Sequence, residues 1–110
     1  MDKLSLVALA RSEVESARRA PAGRSATTVH GGHEKVLRQT VIALCAGRAT
    51  DPFENPGEAT VQVLQGRVRL ETVTTAWEGR SGDLLVVPPE RSALNALEDS
   101  VVLLTVAKTA

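Results

Sequence analysis

Apolar positions near the start of the chain recur at Leu6, Leu9, Ala10, Val14 and Ala17. This three-to-four spacing lines one face of an amphipathic helix. Pro21 and Gly23 end the pattern, because neither residue continues a helix well. One narrow helix cannot hide its own stripe, so it is expected to pack on the rest of the chain or on a partner copy. Residues 22–32 are rich in Gly, Ser and Thr and read as a connector, with at most a short strand around Thr27 to His30.

From Lys35 onward the period shortens to that of strands bounded by Gly, Pro or charged turns. Val36 to Ala46 comes first, with Leu37, Gln39, Val41, Ala43 and Cys45 on one face. Arg38, Thr40, Ile42 and Leu44 take the other, so both faces are expected to be partly covered. Ala59 to Gln65 and Arg67 to Val73 flank Gly66 and read as a hairpin. In its second arm Val68, Leu70 and Thr72 alternate with Arg67, Arg69 and Glu71, giving one buried and one wet face. Thr74 to Glu78 continues that arm before a turn at Gly79 to Gly82. Leu84 to Val87 reads as a short buried strand stopped by Pro88 and Pro89, followed by strands at Ser92 to Leu97 and Val101 to Ala107. Several short strands at near-regular spacing predict a β-sandwich or barrel.

Composition narrows the functional classes. The 110 residues suit one domain with one core. Thirteen Lys and Arg balance thirteen Asp and Glu, leaving no net basic field for a phosphate backbone. Lone Trp77 and Phe53, with no Tyr, offer few platforms for stacking bases, so no nucleic-acid partner is expected. Cys45 is the only cysteine, which precludes an intrachain disulfide and suits a cytoplasmic location. The opening residues carry Arg11, Ser12, Glu13 and Glu15 and are too polar for a signal peptide or a membrane span.

Two segments carry a family resemblance. The first runs from Gly47 through Asp51, Pro52, Phe53, Glu54, Asn55 and Pro56 to Gly66, and the second from Gly82 through Asp83 to Pro88 and Pro89. Both resemble the two motifs of the cupin superfamily, in particular small single-domain cupins of the cupin 2 type, over about residues 36 to 107. The resemblance implies an all-β fold, a double-stranded β-helix or jelly-roll barrel, here with a short N-terminal α-helix. Residues 1–34 would form the helix and connector, and residues 35–110 the barrel. Cupins usually hold a metal with three histidines and a glutamate. In this chain the two histidine positions of the first motif fall on Phe53 and Asn55, the glutamate position on Ala59, and the third histidine on Ser92 or Ala93. Glu54 and Glu58 lie one residue off, which in a strand turns a side chain to the opposite face. No metal and no cofactor is therefore expected at this site, since metal affinity follows the number and type of donors. Phe53 is expected to point into the barrel.

Remaining candidates are weaker. His33, with His30 and Glu34, forms the one histidine cluster, but Gly31 and Gly32 disfavour the helix that would align two ligands. Cys45 reads as a small buried hydrophobe. Arg38, Gln39 and Gln62 are polar residues within strands, and an unpaired buried amide costs about 1–3 kcal/mol. They are expected either to line a pocket or to lie on an outward face covered by the helix or a partner. The ligand-pocket candidates are thus His33, Arg38, Gln39, Phe53, Asn55, Gln62 and Ser92. The leading reading is a metal-independent module that binds a small molecule or regulates. Alternatives are an enzyme of unassigned chemistry using His33, Glu34 and polar barrel residues, and a purely structural interaction module. A homodimer is expected, because the helix stripe and the doubly apolar strand Val101 to Val106 offer surplus hydrophobic surface.

Overall fold

The computed structural model describes residues 3–55 and 57–108. Helix α1 (Leu6–Arg19) opens at Ser5, whose hydroxyl accepts the Ala8 N–H at 3.2 Å. It closes with Arg18 and Arg19 in the last turn, where cations complement the exposed carbonyls. Its buried face is Ala10, Glu13, Val14 and Ala17. Eight strands follow: β1 (Arg24–His30), β2 (Leu37–Leu44), β3 (Gly57–Gln65), β4 (Arg67–Glu71), β5 (Ala76–Arg80), β6 (Leu84–Val86), β7 (Ala93–Ala96) and β8 (Ser100–Lys108). The connector thus supplies a seven-residue strand, longer than the short one expected there.

The strands form two antiparallel sheets, ordered β1-β2-β8-β3-β6 and β5-β4-β7. Residues 47–53 run along the free edge of β7, through bridges Ala49 to Asn95 and Phe53 to Ser92. Between the sheets lies an apolar centre that includes Val61, Val63, Val68, Leu70, Leu94 and Val102, each at most 1% exposed. A second cluster sits behind the larger sheet, where Ala10, Val14 and Ala17 of α1 meet Val41, Ala43, Val101 and Leu103. Small residues on the helix let it approach the strands closely. Strand β8 lies in the middle of the larger sheet and is apolar on both faces for that reason. Val102 and Val106 look into the barrel, and Val101 and Leu103 look toward the helix.

Three expectations are corrected. Strands β3 and β4 do not form a hairpin: β3 pairs with β8 and β6, whereas β4 pairs with β5 and β7 in the other sheet. The chain changes sheets at Gly66, whose φ of 84° suits glycine. A Cβ there would lie 2.3 Å from Ser100 Oγ and 2.4 Å from the Asp99 carbonyl oxygen. The hairpin is β4–β5, closed by Thr72, whose hydroxyl accepts the N–H groups of Thr74 and Thr75 at 3.2 and 3.1 Å. Gly79 belongs to β5 rather than to a turn, with Val63 and Leu85 packed where a side chain would project. Strand β6 is not buried on both faces either. It is an edge strand, with Leu84 61% and Val86 72% exposed while Leu85 and Val87 pack inward.

The surplus apolar surface that motivated a homodimer is largely used within the chain. The helix stripe covers the larger sheet, and both faces of β8 are enclosed.

Candidate functional site

The positions that the motif resemblance sets against cupin metal ligands are close together and well packed. Phe53 and Ser92 exchange backbone hydrogen bonds at 2.7 and 2.9 Å. The Phe53 side chain packs against the barrel core, in the cluster that holds Ala59 and Val87. It therefore points inward, as the motif register predicts. Ala59 is 5% exposed, and its carbonyl accepts the Val87 N–H at 2.9 Å. Ser92 is buried, with its hydroxyl donating to the Glu90 carbonyl at 3.0 Å. Asn55 acts as a clasp: its amide donates to the Val87 and Pro88 carbonyls at 3.1 and 3.4 Å, and its Oδ1 accepts the Gly57 N–H at 3.0 Å.

This donor set does not fit a metal. Phe53 and Ala59 carry no donor atom, and the polar atoms of Asn55 and Ser92 are committed to backbone partners. Among the described residues no group of three or more His, Cys, Asp or Glu stands together in a way that would hold a metal ion.

A cleft of about 380 Å³ opens beside this filled position. It is lined by Arg24, Ser25 and Ala26 of β1, Ile42 and Leu44 of β2, and Thr50 and Asp51 of the segment along β7. The register pairs Arg24 with Leu44 and Ala26 with Ile42, so these four side chains share the inward face of the sheet edge. The floor is apolar and the rim is charged. The Arg24 guanidinium donates to the Ala49 carbonyl at 3.0 Å and faces the Asp51 carboxylate at 3.4 and 3.5 Å. Thr50 is held by its N–H to the Leu94 carbonyl at 2.9 Å and by its hydroxyl, which accepts the Leu94 N–H at 3.1 Å.

None of the seven residues singled out in the sequence lines this cleft. Phe53, Asn55 and Ser92 are brought together next to it. Arg38 shares the inward face of β2 but is exposed at the opposite end of the strand. Gln39 lies on the outward face, where its amide donates to Thr105 Oγ1 at 3.2 Å beside Leu4, Leu6 and Leu103. Gln62 is also outward and exposed, in register with Leu84 and Leu103. His33 is exposed in the β1–β2 connection, and the Lys108 ammonium donates to its carbonyl and to that of Gly32. Cys45 packs under the helix as a half-buried apolar residue.

Sequence reasoning gave Arg24 no role and noted Asp51 only as part of the first motif's frame. It also missed Glu13, 7% exposed on the buried face of α1. The Glu13 carboxylate accepts the Ser25 hydroxyl at 2.5 Å and the Thr27 hydroxyl. A signal existed, since Glu13 falls three residues after Ala10 and four before Ala17 on the same helix face. Asp99 fastens the other end of the helix. Its carboxylate accepts the Ala46 N–H at 2.8 Å and Arg18 Nε at 3.1 Å. The backbone donor first and the guanidinium second hold the Asp99 carboxyl below its ordinary range. The same contact raises the Arg18 guanidinium.

Two antiparallel sheets facing each other around an apolar centre, with the chain passing from one to the other at Gly66, define a double-stranded β-helix. No family model and no curated protein matches the sequence. Solved structures do match. A conserved protein of unknown function from Streptococcus pyogenes superposes with a TM-score of 0.73 at 25% identity, covering 83% of this chain and 79% of that one. A cupin superfamily protein from Desulfitobacterium hafniense gives 0.70 at 14% identity, over 78% of each chain. A cupin 2 conserved barrel domain protein from Salinispora arenicola gives 0.68 at 14% identity, over 96% of this chain and 87% of that one. The chain has the cupin fold.

Proposed function

We propose that this chain is a metal-independent, non-catalytic cupin-fold module that binds a small molecule in the cleft between β1–β2 and residues 49–51. One observation carries the reading. The position where cupins usually place their metal is occupied by Phe53 and Ala59, while the neighbouring cleft keeps an apolar floor and a few polar groups at its rim. That combination is typical of ligand sites, which are mostly apolar with a small number of orienting polar groups. A sensing or regulatory role follows most simply from binding without chemistry. A cytoplasmic location accords with the single cysteine, and no helix among the described residues is long and apolar enough to cross a membrane.

The test is methyl-resolved NMR of the protein titrated with mixtures of small organic molecules. Binding should move the resonances of Ala26, Ile42, Leu44 and Thr50 first. Filling the cleft with Ala26→Trp should abolish those shifts without lowering the melting temperature. Shifts confined to other surfaces, or unaltered binding by the filled variant, would refute the reading.

A second reading, a homodimer acting as an interaction module, is supported by the edge strand β6. Leu84 and Val86 project from it into solvent, and exposed apolar edges invite pairing. Light scattering decides it: a dimer that Leu84→Lys and Val86→Lys convert to a monomer supports it, and a monomer in the wild type refutes it.

A further inference from the structure

We propose that the ligand of this cleft is a small amphipathic carboxylate, its carboxyl group paired with Arg24 and its apolar body laid on Ala26, Ile42 and Leu44. The inference rests on the cleft-binding reading above and adds the chemical class of the ligand.

Arg24 is the only cation lining the cleft among the described residues. It sits at the start of β1 on the inward face, and its bond to the Ala49 carbonyl at 3.0 Å holds the guanidinium at the rim. A guanidinium presents a planar fork of donors that matches a carboxylate in two parallel hydrogen bonds. Its present carboxylate partner is a poor match. The Asp51 oxygens lie 3.4 and 3.5 Å away, beyond the usual 2.7–3.2 Å for N–H···O bonds. The Asp51 side chain is 87% exposed, so the pair contributes little and water can replace it. An incoming carboxylate therefore displaces Asp51 at small cost. It also brings what Asp51 lacks, an apolar body that covers the Ala26, Ile42 and Leu44 floor.

The cleft volume sets the size. About 380 Å³ is near the lower end of the roughly 300–1,000 Å³ of ligand pockets, so the apolar part is a short chain or one ring. Asp51 also sets a sign. With a carboxylate on Arg24, Asp51 becomes a like charge at close range, so removing its charge strengthens binding.

Hexanoate, hexanol and acetate serve as probes, followed by NMR shifts of Ala26, Ile42 and Leu44 at low ionic strength. Hexanoate is expected to bind at least tenfold more tightly than either hexanol or acetate. Arg24→Gln should weaken hexanoate tenfold or more and leave hexanol unchanged, with Arg24→Lys between. Asp51→Asn should tighten hexanoate severalfold, and this exposed position is independent of folding. If hexanol binds as well as hexanoate and neither Arg24→Gln nor Asp51→Asn changes hexanoate affinity, the carboxylate assignment fails while cleft binding stands. If none of the probes moves the cleft methyls, the cleft assignment and the ligand class fail together.

Discussion

Glu13 is the residue on which the docking of the helix can be tested most sharply. The residue is 7% exposed, and its carboxylate accepts two hydroxyls from β1, those of Ser25 and Thr27. Hydrogen bonds to charged groups contribute about 1.5–3 kcal/mol each. The important quantity is what each substitution leaves behind. Ser25→Ala with Thr27→Val strands a buried carboxylate without donors, and breaking a buried charged group from its partners costs roughly 3–5 kcal/mol. Glu13→Leu leaves two hydroxyls near the sheet edge, and the exposed Thr27 can be rehydrated, so that change should cost only about 1 kcal/mol. The triple variant combining all three changes puts apolar groups on both sides and should fall within about 1 kcal/mol of the parent. Urea unfolding followed by circular dichroism measures all four proteins. At roughly 4 °C per kcal/mol for a domain of this size, the double variant should melt about 12–20 °C below the parent. The reasoning is refuted if the double variant loses less than about 1 kcal/mol, or if adding Glu13→Leu to it fails to restore stability.

Three further outcomes are expected. Gly66→Ala combines positive φ with a Cβ 2.3 Å from Ser100 Oγ, and should destabilise by more than about 2 kcal/mol; an unchanged urea midpoint would show that the corner yields easily. The Asp99 carboxyl, held low by the Ala46 N–H and by Arg18, contributes stability above its unfolded value near 3.8. That contribution is lost as pH falls through the lower folded value, so Asp99→Asn should lose stability at neutral pH and match the parent in strong acid; an equal deficit at both would refute the linkage. Elemental analysis of the purified protein should find well under one equivalent of transition metal, and a stoichiometric ion held by Phe53, Asn55, Ala59 or Ser92 would overturn the assignment of the filled site.

Much of the architecture was legible in the order of residues. The helix stripe through Ala10, Val14 and Ala17 and the alternation in β2 and β4 follow from periods of 3.6 and 2, which local backbone geometry imposes. That Phe53, Asn55 and Ala59 offer poor metal donors could be read directly, because donor chemistry belongs to the side chain wherever it folds. Alternation states which side chains of one strand share a face, but not which strand lies beside it. For that reason Gly66 was compatible with a hairpin and only the tertiary structure made it a corner between sheets. The same limit hid the burial of Glu13, since a carboxylate on a helix is usually solvated until a neighbouring strand supplies hydroxyls such as those of Ser25 and Thr27. It hid the cleft as well. Arg24, Ile42 and Asp51 are far apart along the chain or on separate elements, and they become one surface only when β1 pairs with β2 and residues 47–53 fold along β7.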